Sequence, residues 1–222
     1  MEQNWSISHE WTCDEVVRAR ERGLKEYEIC SVSWALSAAS RWDEAELVAQ
    51  ALSDPEERNQ ALGILAQYLV RAGEVSRAQL IADEVSQRDH TERIVALIAI
   101  ARAHLDAGDN ETARAVTSEA EHNARQSNDS GWVRTEYMAD VGYLWLRLND
   151  RSRALQIWSD AAEIAIEEVR KYPSDIDTQK TLAYIGRGFV DAGDDERALE
   201  LTTVLYPRYA GWIHDHIREK RN

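Results

Sequence analysis

The sequence predicts an all-α fold of stacked helical hairpins, and three observations carry that expectation. First, a block of residues returns at a fixed offset. Glu57, Arg58, Ala61, Leu62, Ala66, Ala72, Gly73 and Ala78 recur as Glu92, Arg93, Ala96, Leu97, Ala101, Ala107, Gly108 and Ala113, about 35 residues further on. Second, valine, isoleucine and leucine fall into stripes of helical period rather than alternating runs, so no sheet is expected. Third, a chain of 222 residues with 10 glycines and 3 prolines suits helices joined by short turns, and it is long enough to bury a sizeable core as one elongated domain.

With the register fixed on Gly73 and Gly108, the pattern extends to Ser40, Asn149 and Gly193. Each of these is followed five residues later by an alanine: Ala45, Ala78, Ala113, Ala154 and Ala198. Five units result, spaced by about 33, 35, 41 and 44 residues. The two long intervals contain the polar stretches Gln126 to Gly131 and Tyr172 to Asp177, so the extra length is expected in loops. Residues 1–25 are read as an N-terminal tail and capping helix, 26–206 as the five repeats, and 207–222 as a C-terminal capping helix and tail.

Each unit reads as two helices around a tight turn. In the second, Ala61, Leu62, Leu65, Ala66, Leu69 and Val70 keep helical spacing up to Ala72-Gly73, and Ala78, Ile81, Ala82 and Val85 begin the next stripe. Glycine suits the stop because the residue after a helix often needs a left-handed backbone, which asparagine tolerates and which fits Ser40 less well. The alanines mark close helix approach, where a bulky residue would overpack.

These residues resemble the tetratricopeptide repeat family over about residues 26 to 206. The family's small first-helix residue falls on Ser33, Ala66, Ala101, Gly142 and Gly186, and its large residue three later on Leu36, Leu69, His104, Trp145 and Phe189. The second-helix aromatic is present only as Trp158, the early tryptophan is replaced by Ile29, Leu62, Leu97, Met138 and Leu182, and the closing proline is absent from most units. The chain is thus read as a divergent member, with a related helical-hairpin array as the alternative. The resemblance implies a right-handed α-α superhelix whose concave groove is lined by first helices.

In that family, ligands lie against first-helix positions just after the small residue, which here are Trp34, Gln67, Arg102, Tyr143 and Arg187. Tyr27, Gln60, Glu136 and Lys180 near the helix starts, and Arg71 and Arg147 near the ends, extend the same face. Arginine forks suit carboxylates and aromatic rings supply rigid contact area, so the row is expected to hold an extended peptide with acidic groups. The competing reading makes Arg71 and Arg147 ordinary helix C-terminal charges, and Trp34 and Tyr143 packing residues. Trp145, Trp158 and Phe189 occupy core positions.

Other chemistry finds little foothold. A formal net charge of -14 opposes sequence-independent nucleic-acid binding. Gly186-Arg187-Gly188 has no preceding strand, Glu163, Glu167 and Glu168 sit at helix-surface spacing with Arg170 and Lys171, and no serine or cysteine stands in a nucleophile motif, so neither catalysis nor a cofactor is expected. His214 and His216, two apart on a helix, point to different faces, and no metal site is expected. Cys13 and Cys30 read as reduced thiols. No apolar run approaches a membrane span and Met1 to Trp11 lacks the pattern of a secretory signal, so a cytoplasmic location is the default.

The terminal segments are expected to cover the ends of the array. Trp5, Trp11 and Trp212 are expected to be exposed there, which would permit a homodimer through aromatic ends. The expected function is a protein interaction scaffold or adaptor holding a peptide or protein surface in its groove. The alternative is an acidic inhibitor or regulatory subunit that blocks a basic site through clusters such as Asp194, Asp195 and Glu196.

Overall fold

The computed structural model describes residues 10–85 and 90–221 of the chain. Among the described residues there are twelve helices and no strand. They fall into two compact units, residues 1–103 and 104–222, with the division inside one helix.

The first unit holds α1 (Cys13–Glu21), α2 (Glu26–Ala38), α3 (Trp42–Gln50), α4 (Pro55–Arg71), α5 (Val75–Glu84) and most of α6 (His90–Asp106). The second holds the end of α6, then α7 (Asn110–Gln126), α8 (Gly131–Arg147), α9 (Arg151–Lys171), α10 (Ile176–Asp191), α11 (Asp195–Thr202) and α12 (Pro207–Arg221). Within the first, α2 packs on α3 and α4, and α4 on α5; within the second, α10 packs on α8, α9, α11 and α12.

The turns follow one template. At Gly73 (φ +86°) the N–H donates to Val70 O at 3.0 Å while the next residue, Glu74, donates to Leu69 O at 2.9 Å. This paired closure satisfies two orphan carbonyls and requires a left-handed residue at its tip. Ser40 adopts it with φ 60°, bonding Ser37 O at 3.1 Å while Arg41 reaches Leu36 O at 2.9 Å, despite lacking glycine's freedom. Asn149 does the same, and the motif also closes α1 at Gly23, one turn earlier than the five units anticipated.

In the second unit the residue after the tip has two duties. Asp109, Asp150 and Asp194 donate their N–H back to His104, Trp145 and Phe189, and their carboxylates accept from the N–H of Thr112, Arg153 and Arg197 at the start of the following helix. One residue thereby ends a helix and caps the next.

The alanine series is fully buried at all five positions. Around it the helices touch closely. Ser33 Oγ donates to Ala45 O at 2.8 Å across the first hairpin, and Trp158 Nε1 donates to Ala139 O at 3.0 Å across the α8–α9 pair. A Cβ added at Gly142 would overlap the Trp158 indole, and one at Gly186 would overlap Ile213 of α12. Trp145, Trp158 and Phe189 are core, as the spacing predicts.

Two expectations are corrected. The longer intervals come from longer second helices, not longer loops: α3 and α5 have 9 and 10 residues, whereas α7 and α9 have 17 and 21. The additions approximate two and three helical turns, so the apolar face keeps its direction and Val116, Ala120, Ala124, Ala165 and Val169 continue the buried stripe. Trp11, expected to be exposed, is 1% exposed, and its backbone N–H donates to Glu44 Oε2 at 2.7 Å. The helix α1 folds it inward against the first hairpin, while Trp212 remains 38% exposed and Trp5 lies outside the described residues.

Glu26 ties the start of the first unit together. It accepts from Arg20 Nε at 2.7 Å and from the Ser53 N–H at 2.7 Å, and Arg20 also donates to Ala51 O. One carboxylate thus links the α1–α2 corner to the loop entering α4.

Candidate functional site

In the first unit the predicted row lies on α2, α4 and α6. Tyr27 is exposed, at 60% of its area, and Trp34, Gln60 and Gln67 are half-buried. Gln67 Nε2 turns back to Gly63 O at 3.4 Å, and Gln60 Oε1 stands 4.0 Å from the Cys30 thiol. That thiol is buried and pushed up to about 12, by desolvation first and by Glu57 next, so it stays protonated and unreactive at neutral pH. Cys13 is also free, and exposed. Arg71 is exposed with its guanidinium over the Tyr68 ring at 5.4 Å, and Arg102 is exposed on α6.

In the second unit the row is built on α8 and α10, with α12 against α10. Tyr143 stacks on Tyr184 (centroids 4.6 Å, 30°), meets Trp158 edge-on at 5.0 Å, and donates its hydroxyl to Tyr184 O at 3.2 Å. Burial, with Tyr184 nearby, raises the Tyr143 phenol well above its ordinary value. Tyr184 in turn donates to Asp140 Oδ1 at 3.1 Å. This aromatic pair is a rigid, hydrogen-bonded platform.

The charged members of the row differ in how they are engaged. Lys180 pairs with Asp177 at 2.9 Å and Arg147 with Asp106 at 2.6 Å. Glu136 is exposed, yet partial burial, followed by Asp140 and Asp177, holds its carboxyl above the usual range. Arg187 is exposed and makes no ion pair among the described residues. Asp191, four residues on, stands at pairing distance along the helix, but its Oδ1 is taken by His216 Nε2 and Lys220 Nζ, each at 2.9 Å. Burial opposes ionisation of Asp191, but Lys220 and His216 outweigh it and hold the carboxyl below its ordinary value.

The structure therefore brings Tyr143 and Arg187 to one layer with residues outside the predicted row: Asp140, Tyr184, Asp191, Trp212 and His216. Spacing held part of the signal. Asp140 and Tyr184 lie three residues before Tyr143 and Arg187, on the same helix faces. Trp212 and His216, four apart on α12, belong to this layer because Ile213 seats over Gly186, a relationship without a local sequence mark.

Elsewhere, the acidic cluster is partly engaged: Asp194 bonds Arg197 and Asp195 bonds Arg221 at 2.7 Å. Among the described residues no group of three or more His, Cys, Asp or Glu side chains is placed to hold a metal ion, and no helix is long and apolar enough to cross a membrane.

No family model and no curated protein matches the chain. Among solved structures it is similar to Ton1535 from Thermococcus onnurineus NA1, at 17% identity and a TM-score of 0.48, over 94% of this chain. The chain spans 57% of the length of that protein.

Proposed function

We propose that this chain is a divergent tetratricopeptide-type adaptor that holds a peptide segment or protein surface, one with acidic groups, against its first helices. The observation that carries the reading is Arg187, an exposed guanidinium without an ion pair among the described residues, in a chain of net charge -14. It stands beside the ordered Tyr143–Tyr184 platform. A forked donor next to rigid aromatic area is the composition of an interaction hot spot. The repeated small-residue contacts and common turn geometry support a right-handed superhelical array. The alternative acidic-surface reading draws less support, because Asp194 and Asp195 are engaged within the second unit.

The test is affinity capture from native cell extract with the intact chain and with an Arg102→Glu/Arg187→Glu variant of unchanged circular dichroism. A partner held by the first and lost, at least tenfold, by the second is expected. Equal retention by both would reject recognition by this row.

A further inference from the structure

The α10–α12 side of the second unit contains a cleft of about 310 Å³ lined by Arg187, Trp212, Asp215, His216 and Glu219. Its volume is at the lower end of the range for small-molecule sites. Its polar groups are unevenly satisfied, and the unsatisfied ones have opposite needs.

Arg187 offers donors and positive charge, because Asp191, its natural helical partner, is already held by His216 and Lys220. His216 gives its Nε2 to Asp191 Oδ1 at 2.9 Å, which leaves Nδ1 as the ring nitrogen turned toward Glu219. Nδ1 is buried without a hydrogen-bond partner among the described residues, and Glu219 Oε2 stands 3.7 Å from it. Glu219 is 76% exposed and Asp215 is engaged by Arg218, so Glu219 supplies the available negative charge. Trp212, braced edge-on by Tyr209 at 5.1 Å, gives the cleft an apolar wall.

We infer that this cleft binds a free α-amino acid as its zwitterion. The carboxylate is received by the Arg187 fork, the ammonium by Glu219, and the side chain lies against Trp212. Two carboxylates on the rim disfavour phosphates and other polyanions, and the single guanidinium disfavours a purely cationic ligand; a ligand with both charges answers both poles. The inference shares Arg187 with the peptide reading but needs no protein partner, so titration and capture fail independently.

The test is isothermal titration of the intact chain with each of the free L-amino acids. At least one is expected to give saturable heat, with its N-acetyl and carboxamide derivatives each weakened tenfold or more. Arg187→Met and Glu219→Gln, both at exposed positions, are each expected to weaken it at least tenfold, and Arg170→Met on α9 to leave it unchanged. Absence of saturable heat up to about 10 mM overturns the inference. So does binding that survives both substitutions, or equal binding of a derivative blocked at either pole.

Discussion

Trp158 lies directly against Gly142, its indole filling the volume that any side chain there would need. Gly188, on α10, faces the same ring, with an added Cβ 2.7 Å from it. Gly142→Ala is therefore expected to destabilise the chain by about 1–3 kcal/mol. Gly211→Ala, at a helical site open to 4 Å, is expected to stabilise by about 0.5–1 kcal/mol. Thermal melting of the two variants side by side checks the contrast; equal shifts would disprove the packing argument.

Ser40 and Asn149 hold the left-handed tip that glycine holds in other hairpins. Ser40→Gly is expected to raise stability, by up to about 1 kcal/mol, since the side chain's steric penalty there exceeds glycine's entropic one. Gly73→Ala is expected to lower it by about 1 kcal/mol. Urea midpoints at constant slope would read both.

Glu121 is 8% exposed, accepts from the Trp145 indole at 2.8 Å and pairs with Arg125 and Arg153, each at 3.0 Å, while Arg153 also covers the Trp145 ring. Glu121→Ala leaves a buried indole N–H without an acceptor and two arginines without their shared partner. A loss of about 2–4 kcal/mol is expected. Glu121→Gln keeps an acceptor oxygen and is expected to cost less, which chemical denaturation would show.

The hydrogen bond from Arg20, together with the Ser53 and Asp54 N–H groups and against the opposing effect of burial, holds Glu26 below its ordinary value of 4.5. Its stabilising contribution is present above 4.5 and is lost as pH falls through the depressed folded value. Glu136 has the opposite sign: its raised carboxyl favours the protonated folded state and loses that advantage as pH rises through the raised value. Acid titrations of stability are expected to flatten in Glu26→Gln, whereas Glu136→Gln is expected to gain stability at neutral pH. An unchanged acid limb in Glu26→Gln would contradict the first of these.

The helices and their turns were legible because their causes are local. Ala45, Ala78, Ala113, Ala154 and Ala198 mark close approach by size alone, and Gly73 and Gly108 mark helix ends by backbone freedom. Polarity misled at Gln126, which completes the last turn of α7, and at Ile176 and Asp177, which open α10, so neither stretch is a long loop. The site was legible only in part. Arg187 and Tyr143 follow from repeat position, but the freedom of Arg187 depends on Asp191 being claimed by α12, a tertiary event. Trp11 looked exposed for the same reason: the partner of its backbone, Glu44, is thirty-three residues away.

The aspartates that end one helix and cap the next leave the hairpin tips of the second unit without a spare residue. Opening such a joint breaks both terminations together. Slow amide exchange is accordingly expected at Asp109, Asp150 and Asp194.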